Sequence, residues 1–368
     1  MALFLLNFFI IYGGAHFYFL RKLERACPLG PAGRMIVGLL LLLSTISPVL
    51  IRYAERHGQP GLALGMAYPG YFWMALLFLF FVSSVCWDLV RVINRLQRAV
   101  RGRPPLKAAG DGRQFLVCLG LALVCAGYGL YEAQAIRTDQ IVIATPKLAP
   151  GSKLRIVQVS DVHLGILMGQ KRLERIVKTA ADARPEILVS TGDLIDGILT
   201  HDDQLARQFR QIRPRFGAYA VPGNHEYYVG LDRARQMTVD AGFTMLKGEL
   251  AAAGPIVIAG TDDRTARRSG SYTPLPDRWP TEFTLLLKHQ PRPLMERPFD
   301  LQLSGHVHKG QIFPFNLITW LAFRIPCGLT QLPGGRQIYV SRGTGTWGPP
   351  IRFLAPPEVT VIDLVGRN

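Results

Sequence analysis

A chain of 368 residues has room for a catalytic domain and a second region, and 49% hydrophobic content with a mean hydropathy of +0.18 is high for a protein soluble along its whole length. The formal charge is +16, yet fourteen Lys and Arg against five Asp and Glu precede residue 138, so more than half of the excess lies in the apolar half and pI alone does not argue for nucleic-acid binding. Of the five cysteines only Cys327 lies in the polar half, which excludes an internal disulfide there, and the other four show no metal-site spacing.

The apolar half contains four runs: Ala2–Leu20, Met35–Ile51, Met66–Val90 and Phe115–Tyr131. A helix needs about 20 apolar residues to cross the hydrocarbon core. Packed helices of a soluble domain are the alternative, but four such runs leave too little polar surface for one. The sequence therefore predicts a membrane region with four helices over residues 1–135. No Lys or Arg precedes the first run and no small-residue cleavage site follows it, which favours a retained span over a removed signal peptide. The first loop carries Arg21, Lys22, Arg25 and Arg34, the second only Arg52 and Arg56, and the third Arg91, Arg95, Arg98, Arg101, Arg103, Lys107 and Arg113. Positive charge marks the cytoplasmic side. Loops one and three are expected there, with the remainder of the chain on the periplasmic or extracellular face of a bacterial membrane; losing one span from the count would reverse that answer.

Residues 136–368 read as a different domain. Glu132–Pro150 is a linker containing a strand at Gln140–Ala144. Further strands are expected at Leu154–Val159, Glu186–Ser190, Gly217–Val221, Ile256–Gly260, Thr284–Lys288, Leu301–Ser304, Gln337–Ser341 and Val359–Leu364, each a short apolar or β-branched run. Helices are expected at Lys171–Ala181, His201–Arg213 and Leu231–Ala241. Strands alternating with helices suggest a layered α/β domain.

Five of these strands end in a chemistry-bearing stretch: SDVHLG at 160–165, TGDLID at 191–196, GNHE at 223–226, KHQP at 288–291 and SGHVHKGQ at 304–311. Residues with one position between them project to one side of an extended chain, so Asp161 with His163, and His306 with His308, are expected to point inward together. Any one stretch alone would be a weak signal. The five in this order resemble the calcineurin-like metallophosphoesterases over about Leu154–Leu364.

The resemblance implies two mixed sheets flanked by helices and a site for two divalent metal ions. It assigns Asp161, His163, Asp193 and His308 to one ion, and Asp193, Asn224, His289 and His306 to the other. Carboxylates and imidazoles suit Mn, Fe or Zn better than Ca. It further implies that a hydroxide bridging the ions attacks the phosphorus, and that His225 contacts the phosphoryl oxygen or protonates the leaving group. Glu226 is expected to orient and charge-balance His225. Arg342 is expected either to bind substrate phosphate or to pair with a carboxylate. His16, His57 and His201 lie outside the motifs, and Arg264, Arg267 and Arg268 form a solvated stretch without interleaved aromatics.

The reading is a membrane-anchored hydrolase of phosphate mono- or diesters, with no nucleic-acid partner. Residues 312–332, IFPFNLITWLAFRIPCGLTQL, follow the last motif and are strongly apolar. They are either a core-packing insert or a lip facing the membrane, which would admit a phosphorylated lipid as substrate. The alternatives are a UDP-diacylglucosamine-type pyrophosphatase and a non-catalytic membrane sensor or scaffold whose metal site is structural.

Overall fold

A computed structural model describes residues 2–104, 110–197 and 207–367, without the side chains of residues 2–5. The chain divides into two units, Met1–Leu130 and Tyr131–Asn368. The first is helical: α1 (Ala2–Ala26), α2 (Pro31–Arg56), α3 (Pro60–Val100) and α4 (Asp111–Glu132). Proline occupies the first position of α2 and of α3, where its missing N–H has no partner to lose. Among the described residues α2, α3 and α4 are long and apolar enough to cross a membrane. Helix α1 is 25 residues long but is not among them. Asp88 of α3 accepts hydrogen bonds from Tyr18 (2.7 Å), Lys22 (2.7 Å) and Gln114 (2.8 Å), fastening α1 and α4 to it. His16 is structural here: Trp73 donates its indole N–H to Nε2 (2.9 Å), while Nδ1 donates to the Tyr12 carbonyl (2.8 Å).

The second unit is built on two six-stranded sheets. Its strands are β1 (Arg137–Thr145), β2 (Lys153–Val159), β3 (Ile187–Ser190), β4 (Ala218–Ala220), β5 (Thr244–Met245), β6 (Glu249–Ala253), β7 (Ile256–Gly260), β8 (Phe283–Leu287), β9 (Leu301–Ser304), β10 (Gly328–Gln331), β11 (Gln337–Val340) and β12 (Glu358–Gly366). One sheet has the order β1-β12-β2-β3-β4-β5 and the other β10-β11-β9-β8-β7-β6. Both are mixed. In the first, β12 and β2 are antiparallel while β2, β3, β4 and β5 run parallel; in the second, β7, β8, β9 and β11 run parallel between antiparallel edges. Among the described residues the α-helices are α5 (Gln170–Asp182), α6 (Asn224–Val229), α7 (Leu231–Asp240), α8 (Thr265–Ser269) and α9 (Asn316–Phe323).

Strand periodicity builds the layers. Ile156, Ile187, Val189, Leu285, Leu287, Leu301, Leu303 and Ile362 come from both sheets and share one apolar core. Their neighbours Val157, Val159 and Leu188 point the other way, against Leu173, Ile176 and Val177 of α5 and Met237 of α7. The parallel strands β2, β3, β8 and β9 therefore all end near one edge of the sandwich, where their loops meet.

Two expectations change. Of the predicted helix His201–Arg213, residues 201–206, with His201, lie outside the described residues, and Arg207–Gln211 is a single 3-10 turn. The core-packing reading of residues 312–332 holds only in part for its helix: none of the eight residues of α9 is fully buried, and only Phe323 at its end packs against the Val307, Ile338 and Val340 cluster.

Candidate metal centre

The site is made of loops that continue the sheet after the strands stop. Past Val159 and Ser190 the chains stay paired: His163 N–H donates to the Asp193 carbonyl (3.0 Å) and Leu164 N–H to that of Leu194 (2.8 Å). The aiming of the ligands does not come from extended alternation, as the sequence suggested. Strands β2 and β9 end before the motif residues. Asp161, His163, Asp193, His306 and His308 all take left-handed backbone, with φ of 52°, 52°, 52°, 72° and 47°. Each costs about 1–2 kcal/mol for a residue with a Cβ. Such strain persists only where the surroundings over-determine it, and it collects at functional sites.

Two glycines are required by contact. Gly192 has φ +95°, and a Cβ there would stand 2.8 Å from His289 Nδ1; a Cβ on Gly223 would stand 2.2 Å from Asp193 Oδ1. These positions let the TGDLID and GNHE backbones close on the cluster.

On one side of Asp193, His289 donates Nδ1–H to the Thr191 carbonyl (2.9 Å), which turns Nε2 inward. That Nε2 lies 3.1 Å from Asp193 Oδ2, 3.1 Å from Asn224 Oδ1 and 3.0 Å from His306 Nδ1. On the other side, His308 Nε2 is 3.0 Å from His163 Nε2 and 3.5 Å from Asp161 Oδ1, while His163 Nε2 is 4.0 Å from Asp193 Oδ2. Ligands at right angles around an ion with bonds of about 2.1 Å stand about 3.0 Å apart. Lone pairs converging at this spacing repel unless a cation or protons lie between them, so the donor set fits divalent metal. Asp161 with His163 and His308, and Asp193 with His289 and His306, each form a group able to hold an ion. All seven expected ligands are thus brought together, with Asp193 between the two groups.

The charges are arranged accordingly. Burial pushes the Asp161 carboxyl up to about 6, with the His289 charge opposing and the Asp193 charge adding to it. Burial would raise Asp193 as well, but the charges of His289 and His225 hold it well below the usual carboxylate range. Burial drives His163 down to about 3 and His306 to about 4, so both imidazoles are neutral, the form that binds metal.

His225 stands beside the ligands at the start of α6. Its backbone N–H donates to Asp193 Oδ1 (2.9 Å), and its ring packs edge-on against His163, Tyr228 and Trp347. Its Nδ1 donates to Asp196, leaving Nε2 4.0 Å from Asp193 Oδ2. The carboxylate that orients His225 is therefore Asp196. Glu226, expected in that role, instead accepts the backbone N–H groups of Gly223 (2.7 Å), Asp193 (3.0 Å) and Ile195 (3.1 Å), locking two motif loops together. Burial raises its carboxyl to about 7, the Asp193 charge adds to this, and the N–H donors pull against both.

Arg342 also moves role. Its Nη2 pairs with Asp139 (2.6 Å) and Glu358 (2.6 Å) and its Nε donates to the Pro356 carbonyl (3.2 Å). It fastens β1 to β12 and the loop before it, which is the carboxylate-pairing alternative and replaces the phosphate-binding one.

Three further residues escaped the sequence reading. Arg352 is fully buried; it donates to the carbonyls of Arg342 (2.6 Å), Gly345 (2.6 Å), Ala355 (3.1 Å) and His308 (3.2 Å), and its Nη2 lies 3.0 Å from His308 Nδ1. Gln311 donates to the Trp347 and Pro349 carbonyls (2.9 and 3.0 Å) and accepts the Trp347 N–H (2.9 Å), setting Trp347 beside His225. Asp196 and Gln311 stand inside the TGDLID and SGHVHKGQ stretches, so position was their signal. Arg352 sits in an apolar stretch with no local signal beyond the oddity of a charge there.

Residues 154–310 match a family profile described as calcineurin-like phosphoesterase. An uncharacterized metallophosphoesterase of Aquifex aeolicus (strain VF5) is 37% identical over 259 residues, covering 67% of this chain and 99% of that protein. The chain belongs to the calcineurin-like phosphoesterase family. It is a metal-dependent phosphoesterase, a hydrolase acting on ester bonds. A transmembrane protein with metallophosphoesterase domain from Danio rerio is 31% identical over 321 residues, covering 79% of this chain and 71% of that protein. That share exceeds the Tyr131–Asn368 unit, so the similarity reaches into the helices of the phosphoesterase. With α2, α3 and α4 able to span a bilayer, the phosphoesterase is membrane-associated. A 5'-nucleotidase precursor from Thermus thermophilus overlaps over 58% of this chain and 54% of that one, with a TM-score of 0.31 and 15% identity.

Proposed function

We propose that this phosphoesterase hydrolyses phosphate mono- or diesters using two divalent ions, Mn, Fe or Zn, one held by Asp161, His163, Asp193 and His308 and the other by Asp193, Asn224, His289 and His306. The observation that carries this is the convergence of imidazole nitrogens with carboxylate and amide oxygens at about 3 Å on both sides of Asp193. Bound ions would activate a water and neutralise phosphoryl charge.

The chain's own residues do the rest. Asp196 fixes the His225 ring so that Nε2 faces the reacting group, and it stabilises the imidazolium. As the oxygen of a water that has lost one proton to solvent bonds to phosphorus and the ester P–O bond breaks, His225 Nε2 gives its proton to the departing oxygen. Glu226 keeps Asp193 and the GNHE loop in register. A phosphorylated membrane lipid falls within this substrate class.

The membrane topology belongs to the same proposal. With α1 counted as a span beside α2, α3 and α4, and the basic third loop in the cytoplasm, the catalytic unit lies on the periplasmic or extracellular face of a bacterial membrane; with three spans it would lie in the cytoplasm. A cysteine-labelling reagent that cannot cross the membrane, applied to intact cells carrying an exposed cysteine on α7, tests this; labelling only after lysis would reverse it.

The activity test uses the full chain in detergent, loaded with Mn, on bis-p-nitrophenyl phosphate. Turnover that disappears in Asp193→Asn supports the reading. Two bound ions with no ester hydrolysed under any metal would sink it and leave a sensor or scaffold.

A further inference from the structure

Large apolar side chains crowd one exposed part of the second unit. Helix α9 presents Leu317, Ile318, Trp320 and Leu321 to solvent, with Ile318 53% and Trp320 49% exposed, and Phe313 just before the helix is exposed as well. At 100° per residue these four helix positions share one face, while Asn316 and Thr319 lie on the other. A contiguous exposed apolar face of this kind marks an interaction surface.

The other side of the segment is seated on the metal centre. Phe323 and Ile325 pack against the cluster of Val307, Ile338 and Val340, and Val307 stands between His306 and His308. The Phe323 ring meets the His306 ring edge-on at 5.4 Å. The rim of the face is cationic: Arg324 lies 5.4 Å over the Trp320 ring and Arg292 lies 5.0 Å over Phe323, and both arginines are exposed. Apolar residues with a Trp, edged by arginines and borne on a chain with membrane-spanning helices, match the chemistry of an anionic lipid surface. A protein partner would need only the apolar face; the cations above the aromatic rings fit phosphate headgroups.

We propose that Phe313–Ile325 lies in the headgroup region of an anionic membrane and offers lipid headgroup phosphate to the His306 side of the centre. The surface is independent of the catalytic reading; its use on lipid phosphate rests on that reading. A lipid lifted by the apolar face meets Phe323 first and His306 directly behind it.

The test uses the full chain in phosphatidylcholine–phosphatidylglycerol nanodiscs. Trp320 emission is taken as the difference between the chain and Trp320→Phe, which cancels the other tryptophans. Acyl chains brominated near the headgroup should quench this difference roughly twofold, and aqueous iodide should not. Leu317→Glu with Leu321→Glu should abolish the quenching and slow hydrolysis of phosphatidic acid by about tenfold, leaving bis-p-nitrophenyl phosphate turnover unchanged. Quenching of Trp320 by iodide and not by bromolipid overturns the proposal, and so does protection from both, which would mean that protein covers the face. Quenching by bromolipid with an equal loss on both esters would overturn the lipid-delivery role. Absence of turnover on either ester in the unaltered chain is instead a failure of the phosphoesterase reading, while the quenching arm still decides the surface.

Discussion

Asp196 accepts the Nδ1 hydrogen bond of His225, although Glu226 adjoins that histidine in sequence. The pair sets both the tautomer and the direction of Nε2. Proton donation matters most when the leaving oxygen is a poor leaving group. His225→Ala should therefore slow hydrolysis of an alkyl phosphate ester by about 10²–10⁴-fold and that of a p-nitrophenyl ester much less. Asp196→Asn should show the same substrate dependence at smaller size. Metal content by mass spectrometry should stay unchanged in Asp196→Asn; a parallel loss of metal would make Asp196 a support for the ligands instead.

Arg342→Met separates pairing from phosphate binding. Loss of the guanidinium leaves the buried Glu358 without its cation, which should cost about 3–5 kcal/mol of stability. KM for a soluble ester should not change. A raised KM with unaltered melting would restore the binding role.

Removing metal should destabilise the second unit. The facing donors of His163 and His308, and of His289 and His306, then have only protons to separate them. A bound ion stabilises by about 4 kcal/mol when present at a thousand times its Kd. Chelation should lower the melting temperature by several degrees, and Mn or Zn should restore it. Asp193→Asn, altering the carboxylate between both groups, should bind less metal and respond less to chelator.

Asp363 predicts an acid limb of stability away from the centre. Arg155 hydrogen bonds hold its carboxyl down to about 2 from its ordinary 3.8, against burial, with Lys153 and Gln140 adding to the effect. Its folded pKa is depressed, so the stabilisation is complete above the unfolded value and disappears as pH falls through about 2. The size is about 2 kcal/mol. The melting-temperature gap between the chain and Asp363→Asn should be full near neutral pH and close on acidification towards that value. A gap independent of pH would refute the linkage.

Much of this protein was legible in one dimension. Apolar β-rich runs ending in Asp-x-His, Gly-Asp, Gly-Asn-His-Glu, His and Gly-His-x-His marked strands and the seven candidate donors at their ends, because strand ends and residue types are local properties, whereas the pairing of the strands into two sheets came only with the family resemblance. The way those donors are aimed was not legible. The sequence suggested extended alternation, whereas the loops use left-handed backbone at Asp161, His163, Asp193, His306 and His308. Those torsions are disfavoured locally and hold only because neighbouring loops pin them.

The sequence by itself determined the composition of the chain: an apolar helical region, a layered α/β domain and a donor set suited to divalent metal. Tertiary structure decided the partners. A carboxylate bonds whichever donor the fold brings nearest, so Glu226 went to the Gly223, Asp193 and Ile195 N–H groups, Asp196 to His225, and Arg342 to Asp139, 203 positions away. Burial was decided in the same way. The run 312–332 is as apolar as a core strand, but Val307, Ile338 and Val340 are packed by Phe323, Ile325, Cys327 and Leu332, while the outer face of α9 stays exposed because none of the described residues covers it.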